Sequence, residues 1–99
     1  MTEEVEATVR RNDAANRFEI EVDGELAVSN YLMRGNTIYF MHTEVPPSLE
    51  GKGIGNTLAL ASLDYARAHN LRVVPRCQFI AAFIQRHKEY QDLVDGERE

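Results

Sequence analysis

The chain has 99 residues, 43% hydrophobic and 27% charged, with a formal net charge of −5 and one cysteine. That length supports one modest core and no second domain, so residues 1–99 are read as a single domain with an ordered core over about 5–94. Scattered basic residues in an acidic chain argue against a nucleic-acid surface, no apolar run approaches the roughly 20 residues of a membrane span, and a lone cysteine excludes an intrachain disulfide and a cysteine-rich zinc site.

Val5, Ala7 and Val9 alternate with Glu6, Thr8 and Arg10, the period of a first strand, and Arg11 to Asn16 reads as a polar connection. Phe18, Ile20 and Val22 alternate with Arg17, Glu19 and Glu21, and Asp23-Gly24 is a hairpin signal. Leu26 to Met33 makes the next strand, Arg34-Gly35-Asn36 turns the chain, and Thr37 to Val45 is a fourth strand rich in β-branched and aromatic residues. Pro46-Pro47 ends it. Ile54, Leu58, Ala61 and Tyr65 then recur at helical spacing, with Arg67 and His69 in the last turn and Asn70 as a left-handed stop. Leu71 to Val74 is a short strand closed by Pro75; from Cys77 onward, Phe79, Ile80, Phe83 and Ile84 mark a second helix, and the tail after Val94 is charged. The expected class is α+β, in the order β-β-β-β-α-β-α. The sheet is mostly antiparallel, with strands four and five made parallel by a right-handed crossover and helices on its faces.

Between strand four and the first helix lies Glu50-Gly51-Lys52-Gly53-Ile54-Gly55-Asn56. A helix N-terminus carries unpartnered N–H groups and the positive end of the helix dipole, and glycines let a phosphate approach the backbone. Two phosphate-loop motifs fail on spacing. Lys52 is followed by Gly53 rather than Ser or Thr, and Gly51, Gly53 and Gly55 do not make Gly-x-Gly-x-x-Gly. The run resembles instead the acetyl-CoA-binding motif of the GNAT acetyltransferases: Val45, Pro47, Gly53 and Gly55 fall in register, while Glu50 stands where that family usually has Arg or Gln.

With His42-Thr43-Glu44-Val45-Pro46 before the glycines and Cys77 opening the last helix, the chain looks like the small stand-alone GNAT-like family, the yjdJ-type N-acetyltransferase domain. The resemblance implies a trimmed GNAT fold whose strands four and five splay apart to admit a pantetheine arm. Backbone groups of Thr43 and Val45 would hold that arm, and the N–H groups of Lys52, Gly53, Ile54, Gly55 and Asn56 would hold the diphosphate. The two helices that larger GNAT enzymes carry after the first strand have no counterpart in Arg11 to Asn16. An open acceptor site, or one completed by another molecule, is therefore expected.

Acetyl transfer needs a neutral amine, a donor for the oxyanion and a proton for the departing thiolate. Cys77, at a helix N-terminus beside Arg76, is a candidate general acid or nucleophile; the bland reading is a buried small hydrophobe. His42 is a candidate base toward the amine; strand alternation groups it with Ile38 and Phe40, which favours a packed sheet histidine. His69 and His87 read as solvated, the tyrosines as packing, and the Glu3-Glu4-Glu6 cluster as a solvated face. The expected function is an N-acetyltransferase moving acetyl from acetyl-CoA to an amine, small molecule or protein, with no metal and no nucleic-acid or membrane partner. The protein is expected to be cytoplasmic, since Met1 to Glu4 has no signal-peptide character, and a monomer or weak homodimer. The alternative is a non-catalytic coenzyme A-binding domain.

Overall fold

Left-handed residues at the tight turns fold the first half of the chain into an antiparallel meander: Asn16 (φ 55°), Asp23 (φ 53°) and Gly24 (φ 80°) all lie in that region. The structure, a computed structural model, describes residues 9–94. Its elements are β1 (Arg10–Asn12), β2 (Arg17–Val22), β3 (Glu25–Arg34), β4 (Thr37–Glu44), α1 (Ile54–Ala68), β5 (Arg72–Pro75) and α2 (Gln78–Arg86). Short tight-helical turns cover Pro47–Leu49 and Lys88–Leu93. The sheet runs β1-β2-β3-β4-β5, antiparallel except for the parallel pair β4-β5.

Among the described residues the first strand is Arg10–Asn12. Val5 to Thr8 and the Glu3-Glu4-Glu6 cluster fall outside the described residues, and Arg10–Asn12 pairs with β2 inside the segment read as a connection. The reason is local. Asn12 accepts the Ala15 N–H on Oδ1 (3.1 Å), closing a turn over residues 13–16, so the polar residues before it continue the ladder.

Both helices share one face of the sheet. Phe18, Ile20, Ala27, Tyr31, Ile38, Phe40 and Val73 form a single core with Leu58 and Leu63 of α1 and Ile80, Phe83 and Ile84 of α2. The opposite face carries no helix among the described residues, and Leu26, Leu32 and Met41 are exposed. Asn70 (φ 56°) is the left-handed stop its position indicates. The Leu71 N–H donates to the Ala66 carbonyl (2.8 Å) and the Asn70 N–H to that of Arg67 (3.2 Å), a Schellman ending that aims the chain into β5.

The segment after α2 is clamped to α1. The Tyr90 hydroxyl donates to Asp64 (2.6 Å), and Arg67 reaches Asp92 (2.8 Å) and the Glu89 carbonyl. The hydrogen bond to the Asp64 carboxylate, with burial, pushes the Tyr90 phenol up to about 12.

On the bare face, Glu19 is buried at 3% exposure and accepts from Asn12 (2.9 Å), Arg17 (2.7 Å) and Arg10 (3.1 Å). Those donors, Asn12 and Arg17 foremost, hold its carboxyl down at about 2 from an ordinary 4.5. A depressed folded value means the stabilisation is complete above the unfolded value and is lost as pH falls through the folded one. Urea denaturation should therefore show stability declining between about pH 5 and pH 2, and Glu19→Gln should flatten that decline while costing about 1–3 kcal/mol near pH 7.

Candidate functional site

The site begins where β4 loses its partner. Pairing with β5 spans Thr37 to Phe40 against Arg72 to Pro75. The Cys77 N–H then donates to the Phe40 carbonyl (2.8 Å) as the chain turns into α2, and β4 runs on to Glu44 with that edge unpaired.

A bulge decides what faces this edge. Tyr31 opposes Phe40 and Asn30 opposes His42, so Met41 is one residue more than β3 supplies. The extra residue reverses the phase of the strand beyond it. Simple alternation groups His42 with Ile38 and Phe40; with the bulge, His42 lies on the bare face beside Asn30 and is exposed, which corrects the packed-histidine reading. Thr43 takes the helix-side position opposite Ser29, and its Oγ1 lies 3.3 Å from Cys77 Sγ. The backbone phase changes too. The Tyr31 N–H donates to the Asn16 carbonyl on the β2 side, and Ser29, two residues earlier, faces the same way. Thr43, opposite Ser29, therefore turns its N–H and C=O to the unpaired edge.

Facing that edge is the start of α1. Its N-cap, Gly53, is left-handed (φ 76°) and no side chain caps the helix. The first helical backbone donor to find a carbonyl is Thr57, on Gly53 (3.0 Å); among the described residues the N–H groups of Gly51 to Asn56 have no protein acceptor. Between edge and helix start lies a cleft of about 510 Å³, lined by Thr43, Glu44, Val45, Leu49, Glu50, Gly51, Gly53, Ile54, Gly55, Asn56 and Phe79. Gly55 lets the Phe79 ring close one wall: a Cβ there would sit 2.9 Å from Phe79 Cζ.

Six of the nine residues singled out by sequence thus line one cleft: Thr43, Val45, Gly53, Ile54, Gly55 and Asn56. Lys52 is exposed and outside the lining. Cys77 is the N-cap of α2, 7% exposed and outside the lining, with its Sγ against the hydroxyl of the lining residue Thr43. His42 and Cys77 are not brought together; their side chains leave opposite sides of the sheet. Glu44, Leu49 and Phe79 are lining residues that the sequence reading does not single out. Phe79 reads there as part of α2's apolar stripe, and only its contact with Gly55, distant in sequence, reveals its place. Among the described residues no three His, Cys, Asp or Glu side chains gather as metal ligands, and no helix is long and apolar enough to cross a membrane.

A sheet whose single parallel pair parts beside a glycine-entered helix is the acyltransferase fold anticipated from the sequence. Residues 17–93 match the GCN5-related N-acetyl-transferase family, and the chain belongs to it. It is 32% identical to the protein NATD1 of Bos taurus over 80 residues, covering 78% of this chain and 71% of that one. It is 29% identical to NATD1 of Danio rerio over 91 residues, 87% and 83% of the two chains. The fold superposes with a TM-score of 0.71 on the NMR solution structure of a GCN5-like protein from Staphylococcus aureus, 29% identical, across 93% of this chain and 91% of that one. The expected fold and enzyme class are borne out: this is an N-acetyltransferase.

Gly53→Ala should cost about 1–2 kcal/mol in thermal or chemical denaturation, because a Cβ is forced into left-handed backbone. Gly55→Ala should leave stability within about 1 kcal/mol, helix propensity offsetting the displaced ring. In a Gly55→Ala variant the Phe79 ring resonances should shift, which NMR reads directly.

Proposed function

We propose that this acetyltransferase takes its acetyl group from acetyl-CoA and delivers it to an amine. The observation that carries the reading is the run of unpartnered amides from Gly51 to Asn56, facing a cleft whose other wall is an unpaired strand edge. Amides without acceptors at a helix start suit a diphosphate. An unpaired edge suits an extended arm bearing its own amides, added as a short strand. In this reading Thr43 and Val45 hold the pantetheine arm through their backbone. Gly53, Ile54, Gly55 and Asn56 hold the diphosphate through theirs, and Lys52 adds a charge from the rim.

Acetyl-CoA supplies an activated thioester carbonyl. The residues supply orientation and protons. Cys77 Sγ, held against the Thr43 hydroxyl where β4 and β5 part, carries a proton for the departing sulfur. A nucleophilic role for the same thiol, accepting the acetyl group first, is a variant of this step. His42 takes the proton of the attacking amine from the other side of the strand. The lone free cysteine suits a reducing compartment such as the cytoplasm.

A second reading, a coenzyme A-binding domain without turnover, is favoured by one observation: Cys77 is nearly buried and outside the cleft lining. Two measurements separate them. Titration with acetyl-CoA should shift the amide resonances of Gly53, Gly55 and Asn56; unmoved amides at millimolar ligand would remove both readings. Release of free thiol with a panel of amines should be detectable and should drop roughly 10²-fold in Cys77→Ala or His42→Ala. Binding without any thiol release would leave the non-catalytic domain.

A further inference from the structure

Only two of the side chains lining the cleft are charged, and both are carboxylates: Glu44 and Glu50. Each is exposed, and neither joins a side-chain ion pair among the described residues. Glu50 is held in place by its backbone. It ends the short turn Pro47–Leu49, its N–H donates to the Pro47 carbonyl (3.2 Å), and its extended ψ of 147° leads into the glycines. An anion-binding cleft ordinarily gains from Arg or Lys. Here no lining side chain is cationic: the amides, with Lys52 only at the rim, act against two carboxylates and a chain of net charge −5.

We propose that Glu50, assisted by Glu44, is a specificity-determining residue. Its repulsion of the ligand's phosphates sets the affinity of the cleft low and hastens release of the coenzyme A product. This rests on the coenzyme A reading given above. In bulk water a unit charge about 8 Å from another changes binding about twofold, so a diphosphate bearing two charges feels about a fivefold effect from one carboxylate. Screening weakens that repulsion, since the Debye length falls from about 30 Å at 0.01 M salt to about 8 Å at 0.15 M. The cleft therefore acquires an inverted salt signature. Coenzyme A binds more tightly as salt rises, opposite to an anion site built from cationic side chains. The uncharged pantetheine arm is indifferent to both salt and Glu50.

The experiment is a titration of wild type, Glu50→Gln and Glu44→Gln with coenzyme A and with acetylpantetheine, at about 10 mM and about 150 mM sodium chloride. Glu50→Gln should bind coenzyme A about fivefold more tightly than wild type at the lower salt, with the gap narrowing at the higher. Glu44→Gln should act in the same direction, and acetylpantetheine should bind all three alike. If wild type binds coenzyme A and Glu50→Gln binds it equally or more weakly, the repulsion proposal is overturned while the cofactor reading stands. Equal tightening of acetylpantetheine would also overturn it, since the effect would then be on the shape of the cleft. Failure of coenzyme A to bind any of the three would remove the cofactor reading and this proposal together.

Discussion

The functional half of the molecule depends on one extra residue in one strand. Met41 breaks the match between β3 and β4, and the phase of β4 beyond it is reversed. From that single insertion follow the exposure of His42, the contact of Thr43 with Cys77, and the turning of the Thr43 backbone toward an edge with no neighbour. Pro75 contributes from the other strand. It closes the β4-β5 ladder opposite Phe40, and the chain then enters α2 instead of following β4 outward. Uninterrupted alternation would place His42 on the helix side, and a β5 extended past Pro75 would pair the edge that borders the cleft.

The domain is fastened by polar clamps at two places away from the opening. On the helix side, Tyr90 donating to Asp64 and Arg67 donating to Asp92 tie the segment after α2 to α1, and Arg72 of β5 donates to the carbonyls of Asp92 and Val94. On the far side of the sheet, Glu19 gathers Arg10, Asn12 and Arg17 and fixes β1 against β2. Charge-assisted bonds to a shielded carboxylate are among the stronger polar contacts a small domain can make. They stand on the face that carries no helix among the described residues.

Much of this was legible in the sequence, and the failures share a cause. The meander from β2 to β4, the α1 stripe, the Asn70 stop and the glycine entry are written in neighbours two to four residues apart, which periodicity and turn chemistry detect. Alternation places His42 on the buried face because it assumes an uninterrupted ladder, and a bulge is defined by the partner strand rather than by its own residues. Phe79 escaped because its place depends on a missing Cβ at Gly55, a contact across two elements. Arg11 and Asn12 read as connection because Asn12 looks like loop until its side chain is seen closing the turn.

The bare face gives the trimmed architecture its meaning. Both helices cover one side, and beyond the point where β4 and β5 part the strand carries Thr43 on that side and the exposed His42 on the other. In the proposed function, an acceptor arriving on the side that carries no helix among the described residues would meet a sheet surface exposing Leu26, Leu32 and Met41. A flat surface confers little selectivity on a free small amine, which needs concave walls to be held. It can be matched by a larger body that brings its own contour, with exposed apolar side chains such as Leu32 and Met41 as contact points. In the function proposed above, selectivity for the acceptor would reside in what meets the sheet, and selectivity for the acyl donor in the backbone amides and carboxylates of the cleft. The two are separable because the strand with the bulge stands between them.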